Sequence, residues 1–90
     1  MRYEEKVPNG KLVSIEVQVK AGITTNVSIT GDFFLHPEDT ITKVENCLTG
    51  IPISITEEDL AIKIKKALGD AQLIGAQAGD LARIFKKAVS

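Results

Sequence analysis

The chain has 90 residues, of which 43% are hydrophobic and 26% are charged, and its formal net charge at pH 7 is −1. A chain this short buries only about 60 to 65% of the surface that its unfolded form exposes, so we treat residues 1–90 as a single domain. The balanced charge gives no broad attraction to nucleic acid or to an anionic membrane. The apolar stretches are far shorter than the about 20 residues of a transmembrane helix, and the start lacks the apolar core of a signal peptide. A cytoplasmic protein is therefore expected.

The first third of the chain predicts a β-hairpin. Apolar and polar residues alternate from Lys11 to Lys20, and Ala21-Gly22 is a plausible turn into a second alternating segment. Residues Arg2 to Val7 alternate less clearly but would add a third strand, followed by a turn at Pro8-Asn9-Gly10. The apolar face of the hairpin is predicted to hold Val13, Ile15, Val17, Val19, Val27 and Ile29.

A first helix is predicted to start at Pro37, because proline suits the first helical position. Glu38 and Asp39 would then lie in the first turn, where negative charge suits the positive end of the helix dipole. Gly50 is the predicted stop. The apolar face of this helix is predicted to hold Ile41, Val44 and Leu48.

Two further helices are predicted, one with Thr56 as its N-cap and Gly69 at its end, the other from about Gly79 to Val89. Strands precede helices, so the sequence predicts an α+β fold: a small antiparallel sheet of two to three strands with three helices packed on one face. The apolar faces of these two helices are predicted to hold Leu60, Ile64, Ala67 and Leu68, and Leu81, Ile84, Phe85 and Ala88.

The sequence contains few candidates for a catalytic acid, base or nucleophile. His36 is the single histidine and a general base or metal ligand in principle, but capping of the following helix explains the acids beside it. Cys47 is the single cysteine, which excludes an internal disulfide and a multi-cysteine metal cluster within the chain. Because Cys47 lies in a predicted helix, we interpret it as a buried, inert thiol.

Gly75 and Gly79 precede the last helix, where a glycine-bearing loop can bind an anion. The lysine and hydroxyl of a P-loop are missing, and no Gly-x-Gly-x-x-Gly occurs. We interpret these glycines as a loop-to-helix connection. Lys86 and Lys87 are interpreted as solvent-exposed charges at the negative end of the last helix.

The segment from Gly31 to Glu38 combines two phenylalanines, the histidine and two acids between a strand and a helix. If the strand alternation continues, Phe33 points to the core and Phe34 to the opposite face, and a bulge at Gly31 would exchange them. The outward ring would belong either to a local apolar cluster under the helix or to a patch that faces a partner. The residues predicted for a partner interface are Asp32, Phe33, Phe34, His36 and Glu38.

These residues also carry a family resemblance. Lys6-Val7-Pro8-Asn9-Gly10-Lys11-Leu12, followed by Gly31-Asp32-Phe33-Phe34 and Pro37-Glu38, resembles the C-terminal domain of lipoate-protein ligase, and the likeness runs nearly the whole length of the chain. In that family a large domain activates lipoate with ATP and transfers the lipoyl group to a lysine of an acceptor protein. The small domain is fused behind it in many bacteria and is a separate subunit in some archaea.

The chain opens with Met1, so the resemblance implies the split form. It implies an accessory subunit, not catalytic alone, that docks on the catalytic large subunit and supports formation of lipoyl-adenylate. The lipoyl acceptor protein is then an indirect partner. Neither ATP nor lipoate is expected to bind this chain by itself, and the complex would use both.

The same resemblance relates the fold to iron–sulfur cluster scaffold proteins, the SufE/NifU-like fold, by strand order. Those proteins hold a cluster with several cysteines, one of them just after a glycine where this chain has Gly31 followed by Asp32. A single thiol disfavours cluster assembly. An iron–sulfur or sulfur-transfer scaffold and a free-standing binding module are the alternative functions.

Overall fold

The computed structural model describes residues 1–8 and 10–90. These residues form a three-stranded antiparallel sheet in the order β1-β2-β3, a separate two-stranded antiparallel sheet of β4 and β5, and three helices. The predicted α+β class with three helices is confirmed. The elements in chain order are β1 (Arg2–Lys6), β2 (Leu12–Lys20), β3 (Ile23–Gly31), β4 (Phe34–His36), α1 (Thr40–Cys47), α2 (Glu57–Leu68), β5 (Gln72–Ile74) and α3 (Ala78–Val89).

The predicted hairpin is formed by β2 and β3, and the turn lies where the sequence placed it. Ala21 and Gly22 both adopt positive φ, +53° and +77°. The predicted third strand is β1, which pairs antiparallel with β2. Its connection to β2 includes Asn9, so the predicted Pro8-Asn9-Gly10 turn lies partly outside the described residues.

One face of the three-stranded sheet carries the core. Val13, Ile15 and Val17 are fully buried there, as the alternation predicted. Helix α3 packs on β1 and β2, α1 packs on β3, and α2 packs against both helices. The core thus lies between the sheet and a helical layer on one side of it. The core residues contributed by the helices and by the C-cap of α1 are Val44, Leu48, Leu60, Ile64, Leu81, Ala82, Ile84, Phe85, Ala88 and Val89.

The other face of the sheet is polar and open to solvent, with side chains such as Glu16 and Ser28 exposed. Ser14 is a buried residue of this face, and its Oγ accepts a hydrogen bond of 3.0 Å from Arg2 Nε. The sheet therefore has one structural face and one solvated face, as period-2 patterning predicts.

Helix α1 begins later than the sequence predicted. Pro37, Glu38 and Asp39 form a turn, closed by a 3.1 Å hydrogen bond from the Thr40 amide to the Pro37 carbonyl, and α1 starts at Thr40. The prediction that the two acids occupy its first turn is wrong. The reason is the pairing of β4, which holds His36 in an extended strand and delays the helix.

The ends of α2 and the course of α3 follow the prediction. The Asp59 amide donates to Thr56 Oγ1 at 3.1 Å, so Thr56 is the N-cap of α2, and Gly69 ends the helix with φ +54°. Helix α3 starts at Ala78, one residue before its predicted start. Within residues 1–8 and 10–90, no helix has the length and apolar character needed to cross a bilayer.

The second sheet is the feature that the sequence pattern missed. Strands β4 and β5 have three residues each, too short for an alternation to be recognised. Leu35 of β4 is buried and Leu73 of β5 packs against the core, so one face of this pair is anchored in the molecule. We call the pair the β4–β5 ribbon.

A cluster of charged residues connects the first strand to the last helix. Arg83 donates to Glu5 at 2.6 Å and to Asp80 at 3.0 Å, and Lys87 donates to the same Glu5 at 3.1 Å. The Lys87 ammonium also lies 5.2 Å from the centre of the Tyr3 ring. We call these five residues the Glu5 cluster.

Lys86 and Lys87 lie in the last turn of α3, and Lys87 is exposed, as predicted, but both lysines also have partners in the folded chain. Lys87 belongs to the Glu5 cluster, and Lys86 Nζ donates a 2.8 Å hydrogen bond to the carbonyl of Ile53. Both long side chains reach partners because α3 packs on β1 and β2 and its last turn comes within hydrogen-bond distance of Ile53.

Candidate partner-binding surface

The chain leaves the three-stranded sheet at Gly31 through a conformation that favours glycine. Its φ is +154°, and a Cβ atom at this position would lie 2.2 Å from the carbonyl oxygen of Leu12. The next amide, that of Asp32, donates to the same oxygen at 2.9 Å. This tight turn ends β3 and directs the following residues into the β4–β5 ribbon.

The two phenylalanines separate as predicted. Phe33 is half-buried and packs against the core, whereas Phe34 is 54% exposed. The cause differs from the prediction, since β3 ends at Gly31 and Phe34 begins a strand of another sheet. The outward position of Phe34 is thus set by the ribbon, in which Leu35 turns inward and its neighbours turn outward.

The outer face of the ribbon carries an apolar pair. Phe34 is paired in register with Ile74 of β5, which is 58% exposed. Next to this pair, His36 is opposite Gln72, and both are exposed. The Phe34 and His36 rings are stacked, with centroids 6.4 Å apart and planes 12° apart. Two large apolar side chains therefore share an exposed surface with a histidine and an amide.

The structure brings the other predicted interface residues to the same region. Asp32, His36 and Glu38 are exposed. Phe34 and Glu38 line one groove of about 330 Å³ that also includes Gly31 and Phe33. Ile74 also belongs to this surface, although no strand was predicted at its position. An isoleucine directly before Gly75 was the one available signal.

The described residues contain no cluster of three or more His, Cys, Asp or Glu side chains suited to a metal ion. Cys47 is half-buried rather than fully buried, with its Sγ 3.9 Å from the carbonyl of Lys63. Burial raises the pKa of the Cys47 thiol, and the nearby Lys63 charge opposes this weakly. The thiol is thus disfavoured as a thiolate nucleophile or ligand.

The two glycines before α3 belong to a connection between a strand and a helix. Gly75 ends the ribbon and Gly79 lies in the first turn of α3. Asp80 accepts a 2.9 Å hydrogen bond from the Gln77 amide and places a negative charge at this helix start. A carboxylate already in this position disfavours a phosphate there.

No curated protein sequence matches the chain. Among solved structures, the chain is similar to one in an archaeal lipoylation system from Thermoplasma acidophilum, a bipartite lipoate protein ligase and its E2 lipoyl domain. The TM-score is 0.76 and the identity is 23%, over 94% of this chain and 94% of that chain. This likeness shows a shared fold.

A family model decides the assignment. The model of the bacterial lipoate protein ligase C-terminus matches residues 1–84. The match covers both sheets, all three helices except the end of α3, and every residue of the predicted interface. This chain therefore belongs to the family of bacterial lipoate protein ligase C-terminal domains.

Proposed function

We propose that this chain is the accessory subunit of a two-component lipoate protein ligase. In this proposal it docks on the catalytic large subunit and supports the ATP-dependent activation of lipoate to lipoyl-adenylate. The observation that carries the proposal is the exposed pair of Phe34 and Ile74 on a ribbon whose inner face is anchored in the core. Large aromatic and aliphatic side chains that are exposed together are typical of interface centres.

Family membership and fold support the accessory role. The family is defined by the C-terminal part of lipoate protein ligases. The similar archaeal chain comes from a bipartite ligase system, and the likeness covers 94% of both chains, which supports an accessory role in a ligase of that kind. The acceptor of the lipoyl group would be bound by the complex rather than by this chain alone.

The proposed mechanism is physical rather than chemical. Acyl-adenylates hydrolyse in water, so a domain that covers the mouth of the active site protects the intermediate and fixes the loops around it. The accessory chain would contribute the covering surface, and the large subunit would bind ATP and lipoate. The titratable residues of the ribbon, His36 and the acids beside it, would then serve recognition rather than proton transfer.

The proposal is tested by mixing this chain with the large subunit from the same organism. We expect a 1:1 complex by size-exclusion chromatography with light scattering, and a strong increase in lipoate-dependent pyrophosphate release from ATP. A large subunit that forms lipoyl-adenylate at the full rate without this chain would contradict the accessory role. Calorimetry of ATP against this chain alone is the companion measurement. Micromolar binding there would contradict the proposal that the large subunit is the one that binds ATP.

A further inference from the structure

The groove beside Phe34 has an apolar lining and an unbalanced charge. It lies between residues 29–31 of β3, residues 33–35, and Glu38 and Ile41, and its volume is about 330 Å³. Ile29 and Leu35 are buried, and Phe33 and Ile41 pack against the core, so the walls are fixed. We call it the Phe34 groove. Its rigid walls suit the insertion of one apolar side chain of a partner.

Carboxylates mark the border of the Phe34 groove. Glu38 is the charged residue among its described lining, and the exposed Asp32 follows Gly31 at its end. Among the described residues, neither carboxylate takes part in an ion pair, whereas Glu4, Glu5 and Asp80 do. The negative charge of the groove is therefore available to a partner.

The opposite end of the ribbon has a different charge. Lys43 and Lys66 line a second groove together with Pro37 and Asp70, next to His36 and Gln72. The charged residue in the lining of the Phe34 groove is thus Glu38, whereas the lining of the second groove has two lysines and one aspartate. A surface whose charge differs between its two ends favours one orientation of a charged partner as well as attracting it.

We infer that the Phe34 groove receives a segment of the ligase large subunit in which an apolar side chain stands next to a lysine or arginine. The apolar side chain fills the groove beside Phe34, and the basic side chain pairs with Glu38 and Asp32. This inference rests on the proposed docking function and adds the chemistry of the docked segment. Because the carboxylates lie at an exposed border, they act mainly on the association rate and its salt dependence.

The charge is tested with the double variant Asp32→Asn/Glu38→Gln, measured by surface plasmon resonance against the cognate large subunit. At about 50 mM salt we expect the dissociation constant to rise about three- to tenfold, mostly through slower association. The difference should nearly vanish at about 0.5 M salt, where the Debye length is only a few ångströms. Glu58→Gln is the control and should change binding less than about twofold. Glu58 lies in the first turn of α2, whereas the opposite end of this helix leads into the ribbon.

The groove itself is tested with Thr30→Arg, which places a long cation in the groove lining. Ser28→Arg is the matched control, since Ser28 is exposed on the same face of β3 and outside the groove lining. We expect Thr30→Arg to weaken binding at least about tenfold and Ser28→Arg by less than about threefold. If the wild-type chain binds the large subunit but the double variant and Thr30→Arg bind equally well, the inference is wrong and the docking function stands. If the wild-type chain does not bind the large subunit at all, the proposed function itself fails.

Discussion

Phe34 and Ile74 lie opposite each other in the register of β4 and β5, and both side chains are more than half exposed. Each is next to a leucine, Leu35 or Leu73, that faces the core. The same short ribbon therefore presents two large apolar groups to solvent while its other face holds it in place. Because the proposed docking surface is the exposed face of this ribbon, mutations on its two faces are expected to separate stability from docking.

Phe34→Ala is expected to leave the melting temperature nearly unchanged and to weaken the complex with the large subunit at least about tenfold, equivalent to about 1.4 kcal/mol. Phe33→Ala is expected to destabilise the fold by roughly 2 to 3 kcal/mol, less than for a fully buried phenylalanine because Phe33 is half-buried. Thermal melts and binding titrations of both variants check this. If both variants lose stability to the same extent and neither loses affinity for the large subunit, the segment contributes to core packing and not to docking.

Ile74→Ala is expected to weaken the complex about fivefold or more, with little change in stability, because Ile74 continues the apolar surface of Phe34. Ile62→Ala is the matched control, since Ile62 is a similarly exposed isoleucine, at 53%, on α2. The same binding titration compares the two. Should Ile62→Ala weaken binding more than Ile74→Ala, the docking surface lies on α2 instead of the ribbon.

Gly31→Ala is expected to destabilise the protein by about 2 kcal/mol or more, because the new methyl group would collide with the Leu12 carbonyl at a φ that disfavours side chains. Gly79→Ala offers a direct comparison, since nothing lies within 4 Å of its Cβ position and the residue is helical. That substitution should be neutral or stabilise by up to about 1 kcal/mol. Urea denaturation measures both, and a neutral Gly31→Ala would contradict the role of this turn.

Glu5→Gln is expected to destabilise the fold by about 1 kcal/mol at pH 7, because it weakens the contacts with Arg83 and Lys87. Hydrogen bonds from Arg83 and then Lys87 hold the pKa of Glu5 below its usual range. The stabilisation is therefore present above the unfolded-state pKa of about 4.3 and is lost as the pH falls through the lower folded-state pKa.

The control for the Glu5 prediction is Glu4→Gln. Glu4 pairs with Arg2 at the open surface, where an ion pair contributes less than about 0.5 kcal/mol. Denaturation of the three proteins between about pH 7 and pH 3 should show the difference between wild type and Glu5→Gln shrinking with acidification. A difference that stays constant over this range would contradict the assignment to the ionised carboxylate.

Cys47 is expected to react slowly with thiol reagents at neutral pH, because burial raises its pKa. The rate should still be rising with pH at about pH 8.5, where that of the unfolded chain, the fast reference, begins to level off. Cys47→Ser should leave complex formation and adenylation unchanged. Visible absorbance after anaerobic reconstitution with iron and sulfide, lost in Cys47→Ser, would instead support the iron–sulfur alternative.

The sequence by itself determined the features that depend on neighbours along the chain. Alternation in β2 and β3 located the core face, because successive side chains of a strand point to opposite sides. Thr56 and Gly69 located the ends of α2, because a cap contacts backbone groups of the same helix turn. The segment around Phe34 was recognised by its unusual composition, and the family by its short motifs.

Only the tertiary structure decided which distant segments meet. The pairing of β4 with β5 depends on α1 and α2 returning the chain to the same place, and three-residue strands carry no periodic signal of this. The pairing delayed the start of α1 past Pro37 and brought Ile74 beside Phe34. The Glu5 cluster likewise required α3 to lie on β1, since its ion pairs join the two ends of the chain. Contacts of this kind are set by packing of the whole core rather than by local pattern, because the residues that make them gain nothing from each other until the segments between them have folded.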